Sequence, residues 1–402
     1  MLTVAEASQA IAQAMPEFGD VSVALDDASG RILRQPVEAE RDQPPFDRVT
    51  MDGIAIRFDA FAGGTRNFTI EGTQHAGDSV QSLAADDGCV EIMTGGVLPT
   101  GADCIIPVER ISVTDGIAAL EEGYTPERHQ FVHPQGSDFK KGHGVLSPGS
   151  VITPMDIAVI ASCGLETVKV SRLPSVRVIS TGNELVPAGQ PIEDHEVRMS
   201  NGPALVSMLM EHGFSDAGHE HLIDEPSILE ARLARLLKKN DVLILSGGVS
   251  MGKADYVPEV LARLGVNVVF HKISQRPGKP MWFGIGPENQ AVFALPGNPV
   301  STLVCCRQYV LPALLRACGR QDGHAESVRL AESIVFKPAL TCFMPVKLNP
   351  DNDGLLAASP VTTNTSGDFA ALSGTDGYVE LERDVTEFEA GLIVPLHRWN
   401  AP

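Results

Sequence analysis

The stretch LSGGVSMGKADY, from Leu245 to Tyr256, carries a dense set of chemically useful residues. It follows the apolar run DVLIL and precedes VPEVLARLG, so it reads as a strand, a glycine turn and the start of a helix. Glycines let a backbone turn sharply and approach a ligand closely. Free amides at a helix start attract anions. Asp255 has the opposite preference, and a carboxylate beside a phosphate site points to a magnesium ion between the two. Ser246, Gly247, Gly248 and Ser250 are therefore candidates for a phosphate cradle, with Asp255 beside it. The stretch matches neither GxGxxG nor GxxxxGK[ST], which excludes the two common nucleotide loops.

Two further carboxylates stand in comparable places, Glu184 in TGNEL and Asp224 in HLIDEP. Each alone reads as a solvated loop residue. Together with Asp255 they favour a metal or acid–base site, because magnesium takes oxygen ligands and often one or two carboxylates. Cations cluster in HKISQRPGKP, which holds Lys272, Arg276 and Lys279. Pro277-Gly278 forces a turn there that brings Arg276 and Lys279 towards each other. Polar loop tips occur earlier as well: Asp47 and Asp52 in PFDRVTMDGIAI, Thr94 in EIMTGGVLPTGAD, and Asp138 with Lys140 and Lys141 in HPQGSDFKKG. The histidines show no HExxH or other metal spacing, which argues against zinc. No GxSxG occurs, so covalent catalysis is not indicated.

Three textures of sequence must position these residues. Thr3-Val4-Ala5-Glu6 is a capping box that opens a helix ending before Pro16. From about residue 20 to 150, short apolar runs alternate with Gly, Pro and Asp clusters, which predicts a β-rich part with many turns. From about residue 175, strands and helices alternate with short links. VRVIS, DVLILS, VNVVFH, PMWFGI and AVFALPG read as strands. SNGPALVSMLMEHG, with Ser200 as cap and Gly213 as stop, EPSILEARLARLLKKN, YVPEVLARLG and NPVSTLVCCRQYVLPALLRACG read as helices. That order predicts a doubly wound parallel α/β sheet. Ligands of such sheets sit at the C-terminal ends of the strands. STGNEL, LSGGVSMGKAD, SQRPGKP and ALPGNP all follow strands, so the glycine-rich loops share one edge. From about residue 322 the runs are short and β-like again, which predicts a small barrel or sandwich.

The bulk numbers bound the function. A chain of 402 residues exceeds one ordinary core. It contains 31 Lys and Arg against 51 Asp and Glu, a formal charge of −20. Nucleic-acid binders are basic over at least one face, so that class is disfavoured. An acidic chain that clusters its few cations points them at an anion. No apolar run approaches the roughly 18 residues of a membrane span, and the N-terminus shows no basic leader or apolar h-region. The seven cysteines are odd in number and contain no CxxC, which predicts buried reduced thiols and a cytoplasmic protein.

MDGIAI, EIMTGGVLPTGAD, STGNEL, SNGPAL, LSGGVSMGKADY, RPGKP, FALPGNPVS and Ser366-Gly367 occur in this order over nearly the whole chain. The set resembles the molybdopterin molybdenumtransferases, the MoeA type and the E domain of gephyrin. The resemblance implies insertion of molybdenum from molybdate into adenylylated molybdopterin, release of AMP and assistance by magnesium. It implies a homodimer with four parts per chain: a split helical–β first domain (1–45 plus 140–174), a β-rich second (46–139), an α/β third (175–320) and a C-terminal β-barrel (321–402). The active site would lie where the third domain of one chain meets the second domain of the other. By motif position, the implied catalytic residues are Asp52, Thr94, Asp138, Asp224 and Asp255. Ser246, Gly247, Gly248, Ser250, Arg276, Lys279, Pro296, Gly297, Asn298 and Ser366 would hold substrate. Glu184, Asp224 and Asp255 would hold Mg²⁺. The implied partners are a second copy of the chain and a molybdopterin adenylyltransferase as substrate donor, with no nucleic acid and no membrane.

The chain departs from that pattern at several places. The family usually carries Asn-Ser-Ala where Arg48, Val49 and Thr50 stand, Lys at Arg276, Arg at His133 and often Arg at Pro345. Two other readings compete. A molybdopterin adenylyltransferase shares the α/β core but is little longer than it, and a gephyrin-like scaffold or diverged paralogue needs no intact anion site.

Overall fold

The computed structural model describes residues 1–248, 256–321, 323, 325–351, 353–363, 365 and 367–400. The chain opens with the helix Val4–Ala14, whose Thr3 hydroxyl accepts from the Glu6 amide while the Glu6 carboxylate accepts from the Thr3 amide. Its buried face, Val4, Ala7 and Ile11, packs into the same core as the α/β layer. The strand Asp20–Ala24 then pairs with Thr167–Ser171, and Val37–Glu38 pairs with Gly144–Leu146. The chain therefore leaves this small unit, builds another, and returns.

The unit in between is a sheet of six strands, ordered Cys104–Pro107, Gly53–Ile56, Gly88–Ile92, Asn67–Gln74, Ile117–Leu120 and Ile111–Thr114. Its central strands are apolar on both faces. Ile54, Ile56, Phe68, Cys89 and Ile106 pack on one side, and Ala55, Val90, Ile92 and Ile105 on the other.

The α/β layer is also six-stranded, in the order Gly218–Leu222, Val176–Thr181, Val242–Ser246, Ala291–Leu295, Trp282–Ile285 and Asn267–His271. The first four are parallel. The last two add as antiparallel neighbours, so the expected all-parallel sheet is mixed. The reason is the short link between Ile285 and Ala291, too short for a crossover and long enough for a hairpin. Two apolar cores flank the sheet, one around Val178, Ile244 and Phe293, the other around Ile179, Leu243 and Val292. The long helix expected after PGNP is interrupted. It runs as α-helix over Pro299–Cys305, as a π turn over Cys306–Val310, and as α-helix again over Leu311–Ala317. Pro312 explains the break, because its ring would collide with the carbonyl four residues back. The Leu311 amide reaches Cys306 O, five residues back, instead.

Past residue 325 the strand Thr341–Pro350 pairs with both Leu356–Pro360 and Gly377–Leu381, and the sheet closes through Glu326–Leu330 and Ile393–Arg398. This is a closed barrel filled by Val328, Val346, Val379 and Leu396 among others. The segment Gln275–Arg276 joins it by pairing with Thr341–Cys342, which ties the cationic turn to the barrel. All seven cysteines are buried and unpaired. Among the described residues, no helix is long and apolar enough to cross a membrane.

Candidate active site

Two strand ends and one helix start meet around Asn201. Its Nδ2 donates to Ser246 Oγ at 2.9 Å and to Gly297 O at 2.8 Å, and lies 3.3 Å from Thr302 Oγ1. Thr302 in turn donates to Pro296 O and lies 3.1 Å from Asn298 O. One amide thus locks the loop after Val242–Ser246 to the loop after Ala291–Leu295. Gly247 and Gly248 have φ of +101° and +66°. A Cβ on Gly247 would fall 2.7 Å from Thr181 O, and one on Gly248 would fall 2.7 Å from a Val257 methyl. Only glycine fits both the conformation and the space. Asn201 Oδ1 and Thr181 Oγ1 lie buried beside this loop without a partner among the described residues. Such groups are costly unless something satisfies them.

Beside that loop pair lies a cavity of about 600 Å³ between the α/β layer and the barrel. Arg276, Pro277, Gly278 and Lys279 form one wall, Pro296, Asn298 and Ser301 the floor. Phe336, Lys337, Met344, Pro345, Thr362, Thr363 and Thr365 form the barrel side. The lining holds three cations, Arg276, Lys279 and Lys337, and no carboxylate among the described residues. In a chain of charge −20 that is a marked local inversion. None of the three has an ion-pair partner among the described residues. Lys337, Thr362, Thr363 and Thr365 were not singled out from sequence. Lys337 sits alone in SIVFKP, and only the closure of the barrel brings it opposite the RPGKP turn.

Glu184 and Asp224 stand on neighbouring loops of the same sheet edge. The Gly182 amide donates to Leu222 O at 3.3 Å, and the Asp224 amide donates to Asn183 Oδ1 at 3.0 Å. These two bonds stitch the carboxylate-bearing loops together. Among the described residues, no group of three His, Cys, Asp or Glu side chains is placed to hold a metal. Asp255, the third carboxylate of the expected magnesium set, lies outside the described residues, as do Ser250 and Ser366.

The remaining sequence candidates lie in the β-rich unit and show no hydrogen bond to the α/β edge among the described residues. Asp52 Oδ1 accepts from both the amide and the hydroxyl of Thr94, each at 2.6 Å. Those two donors hold the Asp52 carboxyl below its ordinary value of 3.8. Arg48 and His133 face each other across a two-strand pair. Arg48 Nη2 lies 3.1 Å from His133 Nδ1, and His133 Nε2 lies 3.0 Å from Asp138 Oδ1. A guanidinium only donates, so Nδ1 accepts and the ring proton sits on Nε2, pointed at Asp138. Two of the departures from the resembled pattern are thus one feature: Arg48 and His133 touch each other.

Comparison with known proteins bears on the whole arrangement. Residues 2–164 match the model of the MoeA N-terminal region (domain I and II), 177–316 that of a probable molybdopterin binding domain, and 327–399 that of the MoeA C-terminal region (domain IV). A molybdopterin molybdenumtransferase of Synechocystis sp. is 38% identical over 400 residues, covering 99% of this chain and 100% of that one. The chain belongs to the molybdopterin molybdenumtransferase family. Within it, the Staphylococcus aureus enzyme of strain Mu50 is 29% identical over 401 residues, covering 98% of this chain and 95% of that one. The crystal structure of the molybdopterin biosynthesis MoeA protein from Pyrococcus horikosii superimposes with a TM-score of 0.85 at 29% identity, covering 100% of both chains.

Membership gives the site loops a common purpose. Asn201, which sequence reading passed over inside SNGPAL, is the tie between the SGG and PGNP motifs. The signal was present, since an Asn at a helix start after Ser200 is a capping residue by type. Ser200 occupies the cap position as expected, but its hydroxyl makes no capping bond.

Proposed function

We propose that this family member inserts molybdenum from molybdate into adenylylated molybdopterin and releases AMP. The observation that carries this reading is the cavity of about 600 Å³, lined among the described residues by three cations and no carboxylate, beside the Asn201-tied loops, in a chain of charge −20. Both reactants are oxyanions, and charge-assisted hydrogen bonds to oxyanions are the strong ones. Ser246, Gly247 and Gly248, with Ser250 by motif, would cradle a phosphate. Arg276 and Lys279 would face molybdate or a phosphate oxygen, with Pro296, Gly297 and Asn298 as the floor and Ser366 on the barrel side by motif. The partner supplying substrate would be a molybdopterin adenylyltransferase, and the setting the cytoplasm.

Magnesium would take its oxygen ligands from this sheet edge. Glu184 and Asp224 offer hard oxygen donors on two loops stitched by one backbone bond and one bond to the Asn183 side chain, and Asp255 would complete the set by motif. The ion would offset negative charge on the phosphoanhydride when bound. Asp52, Thr94 and Asp138 lie in the β-rich unit, apart from this edge. Their participation is best met by a homodimer in which the β-rich unit of one chain faces the α/β edge of the other. The division into a split first domain, a β-rich second, an α/β third and a barrel is kept as part of this proposal.

The test is AMP release from adenylylated molybdopterin. The expected result is release that depends on added molybdate and is stimulated by magnesium. Release independent of molybdate, or none, would refute the proposal.

A further inference from the structure

Beneath the cationic turn runs a buried polar chain whose first member, Gln275, also borders the cavity. Gln275 is 0% exposed and Tyr309 is 2% exposed. Tyr309 Oη donates to Gln275 Oε1. Gln275 Nε2 donates to Pro277 O at 3.0 Å and lies 3.6 Å from Cys305 Sγ. Burial pushes the Tyr309 phenol well above its ordinary 10, so Oη keeps its proton and acts as a donor. Gly278 has φ of +92°, and a Cβ there would fall 2.4 Å from Cys305 Sγ and 2.6 Å from Gln275 Nε2. The turn that carries Arg276 and Lys279 therefore rests directly on the Gln275 amide and the Cys305 thiol.

The support comes from the π turn. Tyr309 lies within Cys306–Val310, and so does Gln308, whose Oε1 accepts from Tyr378 Oη at 2.7 Å. Tyr378 is a fully buried barrel residue on Gly377–Leu381. Arg307, also in the π turn, donates to Arg398 O on the barrel strand Ile393–Arg398. Consecutive residues of one widened turn thus hold the cationic wall of the cavity and the barrel that forms its other wall. π turns inside α-helices recur at functional sites. Here the turn has a local cause in Pro312 and a geometric consequence at both walls.

We propose that Tyr309 and Gln275 are a buried positioning pair that sets where the Arg276–Lys279 turn stands over the cavity, and so sets the cavity's affinity for its oxyanion. The inference rests on the oxyanion reading of the cavity given above. Neither residue is catalytic, because they act through the Pro277 carbonyl and not on substrate.

Three variants separate positioning from mere stability: Tyr309→Phe, Gln275→Met and the double variant. Tyr309→Phe strands the Gln275 Oε1 acceptor in the core. The melting temperature should fall and the molybdate concentration for half-maximal AMP release should rise about tenfold, with kcat nearly unchanged. The double variant strands neither member of the Tyr309–Gln275 bond, and removing both partners of a bond can be nearly neutral. Its melting temperature should recover. Its half-saturating molybdate should stay raised, because Gln275→Met takes the Nε2 donor from the Pro277 carbonyl. Half-saturation that returns to the wild-type value together with the melting temperature would overturn the proposal, and so would unchanged half-saturation in all three. Gln275→Met alone guards against poor folding of the tyrosine variant, and it should raise half-saturation to the same degree. A wild-type protein that shows no molybdate dependence would refute the proposed function itself. Molybdate-dependent wild type with unaltered variants would refute only the positioning pair.

Discussion

Arg276, Lys279 and Lys337 line one cavity and have no ion-pair partner among the described residues, whereas Arg48, His133 and Asp138 of the β-rich unit form a closed chain of contacts. Asp52 is likewise occupied, with Thr94 on one oxygen. The first region presents bare charge. The second presents charge already steered by its neighbours. A ligand gains most where cations have no protein partner to give up, so the cavity is where the proposed function would seat its oxyanion. The β-rich contacts hold a carboxylate and an imidazole each in one orientation.

The largest expected effect breaks the cavity side. Replacing Arg276 and Lys279 together by Ala removes two charge-assisted contacts, each worth about 1.5–3 kcal/mol. Half-saturating molybdate should rise about a hundredfold or more in the AMP-release assay. Unfolding free energy should change by no more than about 0.5 kcal/mol per site, as for surface substitutions. Arg276→Lys should keep activity, because it retains the charge while giving up the planar fork.

Asn201→Ala comes next. It removes the tie between Ser246 and Gly297 and strands nearby buried groups, at a cost of about 1–3 kcal/mol in stability. Thermal unfolding should show that loss together with reduced turnover, since the two loops are no longer held to each other. Normal turnover at reduced stability would mean that the loops are placed by their own backbone.

Arg48→Ala sharpens the comparison from the other side. It frees His133 Nδ1, while the Asp138 carboxylate still accepts from Nε2. Turnover should fall several-fold with half-saturating molybdate unchanged. If half-saturation rises as it does for the cavity variant, Arg48 faces the anion and the contrast between the regions is wrong.

The smallest effect concerns pH. Asp52 is held below its ordinary 3.8 by the two Thr94 donors. Its contribution is therefore fully present above that value and is lost as pH falls through the lowered value of the folded state. Thr94→Val should lower the melting temperature at neutral pH, and the gap to wild type should narrow once pH drops below 3.8. A gap that stays constant across that window would show that Thr94 acts without the Asp52 charge.

Much of this was legible in the sequence because it is local. The capping box at Thr3 and Glu6, the alternation of strand and helix from residue 176, and the glycine demands at Gly247 and Gly248 each depend on a few neighbouring residues. What sequence could not place depends on closure over long distances. Lys337 becomes a wall residue only when the barrel closes and Gln275–Arg276 pairs with Thr341–Cys342. The Arg48–His133 contact spans 85 residues. The antiparallel strands follow from a link length whose consequence depends on sheet order. The π turn follows from Pro312, which was visible, but its contacts with Gln275 and Tyr378 were not.

Calorimetric titration of molybdate into the wild-type protein and into the Arg276→Ala, Lys279→Ala, Lys337→Ala triple variant tests the cavity most directly. Sulfate serves as the control anion, and the Lys337→Ala single variant reports the residue that only the fold revealed. A cavity that takes the oxyanion requires saturable molybdate binding by wild type, a several-fold loss for Lys337→Ala, and no measurable binding by the triple variant at an unchanged melting temperature. Equal molybdate affinity in the wild type and the triple variant would contradict it.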